Sequence, residues 1–106
     1  MITEKIGGGV ESGTATVNNT YISSGSVTWR KQGNVLSLIF SGVTTSSQIP
    51  AWTTIVSDIP TVYPSLKKMI LASEGWKRMI INYDNRLVTE NAMSFNNYSD
   101  VLTVII

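Results

Sequence analysis

Apolar and polar residues alternate most regularly through the middle of the chain. In residues 27–31 (VTWRK), Val27, Trp29 and Lys31 fall on one face of an extended strand and Thr28 and Arg30 on the other. Residues 35–40 (VLSLIF) keep the same period, with Leu36, Leu38 and Phe40 on one face and Val35, Ser37 and Ile39 on the other. Gln32-Gly33-Asn34 between them are turn-forming residues, so the stretch predicts a β-hairpin. The latter half of its second strand is apolar on both sides, which predicts a central strand or one covered twice.

The rest of the chain follows the same rhythm. Residues 14–17 predict a short strand and residues 18–25 (NNTYISSG) a loop. Residues 44–50 (TTSSQIP) predict a polar loop closed by proline. Residues 52–59 predict a strand with Trp52, Thr54 and Val56 on one face and Thr53, Ile55 and Ser57 on the other. Two prolines in residues 60–64 (PTVYP) predict an extended excursion outside regular pairing. Residues 65–73 place Leu66, Met69 and Ile70 at helical spacing, but the stretch is short and Glu74-Gly75 follows as a turn, so a strand is expected in its latter part. Residues 76–83 predict a long strand, Asp84-Asn85 a turn and residues 86–90 the returning partner. Residues 91–95 continue that strand or begin another, residues 96–100 predict a loop, and residues 101–106 (VLTVII) a final strand. Turns about 8–12 residues apart are the pattern of an all-β fold, an antiparallel β-sandwich or a jelly-roll or barrel-like domain.

Three strands put apolar groups on both faces, at Ile39-Phe40, Ile80-Ile81 and Ile105-Ile106. A small sandwich buries one face of each sheet, so loops or a second subunit must cover the other. A homo-oligomer is therefore expected, with the terminal strand paired and covered.

Composition narrows the function more than the fold. Val and Ile together number 22 and Ser and Thr 25, with four Ala, which suits strands joined by polar loops. A chain of 106 residues is one domain. Residues 1–13, with Gly7-Gly8-Gly9, read as a flexible linker leading into a domain over residues 14–106. The glycine triplet lacks the Lys-Ser/Thr pair of a phosphate loop. The formal net charge is +1, and basic residues run no longer than pairs, so no nucleic-acid partner is expected. No run approaches the roughly 18 apolar residues of a membrane span, and no signal-peptide pattern is present. The sequons Asn18-Asn19-Thr20 and Asn97-Tyr98-Ser99 read as loop polarity.

The chain has no Cys and no His, which removes thiolate sites, the commonest general base and the commonest metal ligand. Its seven acids are Glu4, Glu11, Asp58, Glu74, Asp84, Glu90 and Asp100, with no pair at a spacing that suggests acid–base work on a sugar. Asp58 and Asp84 lie beside turns, where the side chain serves the backbone. Oxygen ligands Asp84, Asn85 and Glu90 lack the dense loop of a calcium site, so neither metal nor cofactor is expected. Among the aromatics, Trp29 and Trp52 are expected in the core or a subunit contact. Trp76 follows a turn and Tyr83 precedes one, so these two are expected at the surface. A glycan site is therefore placed at Trp76, Arg78, Tyr83, Asp84, Asn85 and Arg86, combining rings with hydroxyl-binding groups.

The order of these motifs resembles the C-terminal head domains of bacteriophage tail fibre, baseplate and receptor-binding proteins. Trp29, Lys31, Gly33 and Asn34 match their W-x-K-x-G-N-x-V strand, with Leu36 where the valine would fall. Trp52, Ile55, Ile59, Pro60, Tyr63 and Pro64 follow their second motif with altered spacing, and Asp84-Asn85 stands where Asp-Gly is common. The resemblance implies a homotrimeric β head at a fibre tip, in a virion or a bacterial prophage product. It further implies contact with other tail proteins through the N-terminus, and binding of a host cell-surface saccharide without catalysis. No binding residue is carried over from it. A purely structural trimerisation or capping domain is the alternative within this resemblance, and a small carbohydrate-active enzyme the alternative outside it.

Overall fold

A computed structural model describes residues 10–60, 67–70, 78–82 and 85–105. Among them are nine strands and no helix: β1 (Val10–Thr14), β2 (Thr16–Val17), β3 (Ile22–Gln32), β4 (Val35–Thr45), β5 (Thr54–Ser57), β6 (Lys67–Ile70), β7 (Arg78–Asn82), β8 (Arg86–Thr89) and β9 (Tyr98–Ile105). They form two sheets, β1-β3-β4-β9 and β2-β5-β8-β7-β6, and every pairing is antiparallel. The all-β, two-sheet fold agrees with the sandwich expected from the turn spacing.

The predicted hairpin is β3–β4, longer than expected at both ends. Ile22–Gly25 belong to β3 and Thr44-Thr45 to β4, where loops were expected. Gln32 pairs with Val35, so the loop is the two residues Gly33-Asn34. Gly33 has φ 61° and Asn34 is not in the positive-φ region, the sign pattern of the type II′ turn that matches strand twist. The β4 alternation holds: Leu36, Leu38 and Phe40 are buried while Val35, Ser37 and Ile39 face outward. β4 is also central, between β3 and β9.

Two bulges let consecutive stretches contribute to the core twice. Beyond Phe40, β4 slips register against β9 before Val43, so both residues point inward and both are buried. In β5 a slip between Thr54 and Val56 buries Ile55 and Val56 together. The strict alternation expected for residues 52–59 therefore fails at the bulge.

The chain passes from one sheet to the other at Ala15, between β1 and β2. Ala15 is buried, and its amide donates to the Val27 carbonyl at 2.9 Å. A small side chain suits a crossing where both sheets converge. Because β1 already pairs with β3 from Val10 onward, regular structure begins inside the stretch expected to be linker. At the opposite margin β6 runs alongside β9. β6 falls in the middle of residues 65–73, earlier than the strand expected in their latter part, and residues 71–73 lie outside the described residues.

The core lies between the sheets. Phe40, Phe95 and Tyr98 form an aromatic cluster with ring centroids 5.2–6.0 Å apart. The Tyr98 hydroxyl donates to Asp100 Oδ2 at 2.8 Å, and Asp100 Oδ1 accepts the Val101 amide at 2.8 Å. Ile49 and Met93, both buried, join two irregular stretches through reciprocal backbone bonds of 2.8 and 3.0 Å. Residues 91–95 thus form neither a continued strand nor a new one beyond this single bridge. Trp29 is half-buried against the core, as expected.

Trp52 and the final strand leave apolar surface exposed within one chain. Trp52 is 67 % exposed, in the turn before β5, so of its two expected places, the core or a subunit contact, the core is excluded. The final strand is paired with β4 as expected, and Val101 and Ile105 on its outward face are 55 % and 64 % exposed within one chain. Ile80 and Ile81, by contrast, are both buried within the chain itself.

Candidate functional site

The most unusual local geometry belongs to the turn carrying Trp52. Trp52 has φ 58°, in a region that costs a non-glycine residue about 1–2 kcal/mol. Such strain persists only where surrounding contacts dictate it. Here Thr89 dictates it. The Trp52 amide donates to the Thr89 carbonyl at 2.8 Å, and the Thr89 amide donates to the Thr53 carbonyl at 2.9 Å. The Thr89 hydroxyl accepts from the Thr53 amide at 2.9 Å and donates to the Pro50 carbonyl at 2.7 Å. Thr89 is the one fully buried polar side chain among the described residues. The network holds the turn from beneath and leaves the indole in solvent. Thr89→Val should strand the Thr53 amide and the Pro50 carbonyl, costing about 1–3 kcal/mol. Urea melts measure that loss, and Trp52 fluorescence should shift as the turn loosens. An unchanged melt would show that Thr89 does not support the turn.

Beside this turn the β7–β8 pair ends in a charged couple. Arg78 Nε lies 2.7 Å from Glu90 Oε1, and the Glu90 amide donates to the Arg78 carbonyl at 3.0 Å. The Arg78 amide in turn donates to Asn91 Oδ1 at 3.3 Å. Trp52 therefore stands at the same end of its sheet as Arg78, Glu90 and Asn91, linked through consecutive residues Thr89 and Glu90.

Among the described members of the expected glycan site, Arg78 lies apart from Asn85 and Arg86. Asn82 pairs with Arg86 and Met79 with Thr89, so Arg78 and Arg86 occupy opposite ends of the hairpin, about 13 Å apart along the strand. Asn85 is committed to the backbone: its Nδ2 donates to the Ile59 carbonyl at 2.8 Å, and its own carbonyl accepts from the Ile59 amide at 3.3 Å. Its φ of 72° fits the expected turn. Arg86 Nη1 donates to Thr54 Oγ1 at 3.1 Å. Trp76, Tyr83 and Asp84 lie outside the described residues. Of the expected set, Arg78 lies at the same end of the sheet as an exposed ring, Trp52. The sequence signal for Trp52 was its place two residues after Pro50, where a turn can still hold it out of the strand.

Each described carboxylate has a partner of its own. Glu11 Oε2 lies 3.9 Å from Lys31 Nζ, Thr16 Oγ1 donates to Asp58 Oδ2 at 2.6 Å, Glu90 holds Arg78, and Asp100 holds Tyr98 and the Val101 amide. Asp58, expected to serve the backbone, serves a side chain instead. Asn85 and Glu90, weighed as calcium ligands, sit at opposite ends of β8. No cluster of three or more acidic, His or Cys side chains suited to a metal occurs among the described residues. No family model matches the chain, and comparison with curated proteins and with solved structures finds no similar one.

Proposed function

We propose that this domain is a non-catalytic saccharide-binding head of a phage or prophage tail protein, assembling as a homotrimer and docking a host-surface glycan on Trp52. The observation that carries the binding role is the exposed indole held at positive φ. A strained, solvent-facing aromatic ring has no part in the core, and its flat apolar face suits the C–H face of a pyranose. Arg78, Glu90 and Asn91 at the same end of the sheet carry donors and acceptors for sugar hydroxyls. The tail-protein setting rests on the resemblance at Trp29–Asn34 and Trp52–Pro64, and the trimer on the same resemblance.

Trp52→Ala is the test. Stability should change by no more than about 0.5 kcal/mol, since the side chain touches solvent on most of its surface. Binding to an array of bacterial surface polysaccharides should weaken about tenfold or more. Wild-type protein that binds no polysaccharide on the array, or a Trp52→Ala variant that binds equally well, would sink this assignment.

A further inference from the structure

The outward face of the four-stranded sheet carries a second arrangement, separate from Trp52. Register aligns three rows across β1, β3, β4 and β9: Val10, Gln32, Val35, Ile105; then Ser12, Arg30, Ser37, Thr103; then Thr14, Thr28, Ile39, Val101. Four of the five exposed large apolar side chains among the described residues lie here, at Val10, Val35, Val101 and Ile105. A shallow concavity of about 420 Å³ lies among them, within the range of small-ligand sites. Three of those valines and Ile39 wall it, while Arg30, Gln32 and Ser37 supply its polar atoms.

Arg30 is the unusual member. The chain has three arginines. Arg78 is paired with Glu90, and Arg86 bonds Thr54. The Arg30 side chain has no hydrogen-bond or ion-pair partner among the described residues. Its neighbour Lys31 takes the nearby Glu11 on the opposite face of the sheet. None of the three outward rows contains an acid. A guanidinium flanked by valines and isoleucine thus presents its donors with nothing in the fold to receive them.

A second copy packed face to face is a poor occupant. Two Arg30 side chains would meet at the centre with no carboxylate on either face. The occupant must bring one anionic group, hydroxyls and a flat apolar face. A lone arginine, without a second cation, suits a monoanionic carboxylate better than a phosphate dianion. We propose that this concavity binds the carboxylate-bearing pyranose of an acidic saccharide, a uronate unit, with its carboxylate on Arg30, its hydroxyls toward Gln32 and Ser37, and its ring against Ile39 and Val101.

Titration of the isotope-labelled chain followed by amide NMR tests this, with sodium glucuronate, glucose and sodium acetate as probes. Glucuronate should shift the signals of Arg30, Ser37 and Val101 and saturate in the millimolar range, weakening as ionic strength rises. Glucose and acetate should not saturate in that range. Arg30→Gln should weaken glucuronate binding about tenfold or more with the spectrum otherwise native, and Arg30→Lys should weaken it less. Ile39→Asp, which sets a carboxylate diagonal to Arg30, should also block it. Trp52→Ala should leave it unchanged, which separates this site from the one proposed above. Absence of saturation, equal binding of acetate, or full binding by Arg30→Gln would overturn the proposal. So would concentration-dependent self-association that Arg30→Gln abolishes, because the face would then be an interface between copies.

Discussion

Phe40→Asp is expected to leave no folded protein, while Ile39→Asp, one residue away, stays folded and soluble. Phe40 is 2 % exposed and touches the rings of Phe95 and Tyr98. Removing its ring alone costs about 3–5 kcal/mol, so Phe40→Ala should be strongly destabilised but measurable. A carboxylate there adds the penalty of an unpaired buried charge. It would also stand directly across from Asp100, its register partner on β9, which adds like-charge repulsion. Together these exceed the stability of about 5–15 kcal/mol available to a domain of this size. Ile39 points to the outward face and is only half-buried, so a charge there remains in contact with water. Circular dichroism and urea melts of the two variants decide the matter. A Phe40→Asp protein with a native melt, or an Ile39→Asp protein that fails to fold, would show that the inner face of β4 has been misassigned.

Gly25→Ala is expected to cost about 2–5 kcal/mol, against about 1–2 kcal/mol for Gly33→Ala. Both glycines have positive φ, 94° and 61°. Around Gly33 a methyl group would meet nothing within 4 Å, so only the backbone penalty applies. At Gly25 a methyl group would lie 2.6 Å from the Gly42 carbonyl carbon and would collide with its oxygen and with Val43 Cα. These are backbone atoms of the neighbouring strand and cannot rotate away. Register slips on both sides of Ser24 bring the two strands this close. Chemical denaturation of both variants gives the comparison, and equal costs would mean that the close approach at Gly25 relaxes freely.

The contrast between these pairs shows what was legible in the chain. Period-two alternation separated Phe40 from Ile39 correctly, since it follows from the pleat of a single strand. It did not reveal which of the two apolar faces was the core. Ile39-Phe40 and Ile105-Ile106 looked alike, yet Phe40 is sealed between sheets and Ile105 faces outward. The turn at Gly33 was readable because its chemistry is local. Gly25 read as loop, because the bulge that requires it depends on a strand 17 residues further on, at Gly42.

The candidate sites divide in the same way. Arg78, Asn85 and Arg86 were placed together by proximity in the chain, but a hairpin carries its two ends apart, and only pairing register shows it. Trp52 resembled a strand residue because its neighbours alternate. Its outward position is imposed by Thr89, 37 positions away, through bonds that no local pattern encodes.

By itself the sequence determined an all-β domain, its hairpin, most of its strands, and the lack of histidine and cysteine chemistry. All of these follow from residue type and short-range backbone geometry. Tertiary structure alone decided the pairing order, the bulges, the exposure of Trp52 and the isolation of Arg30. Each of those depends on which distant segments meet, and the balance of burial and backbone pairing settles that only when the whole chain packs.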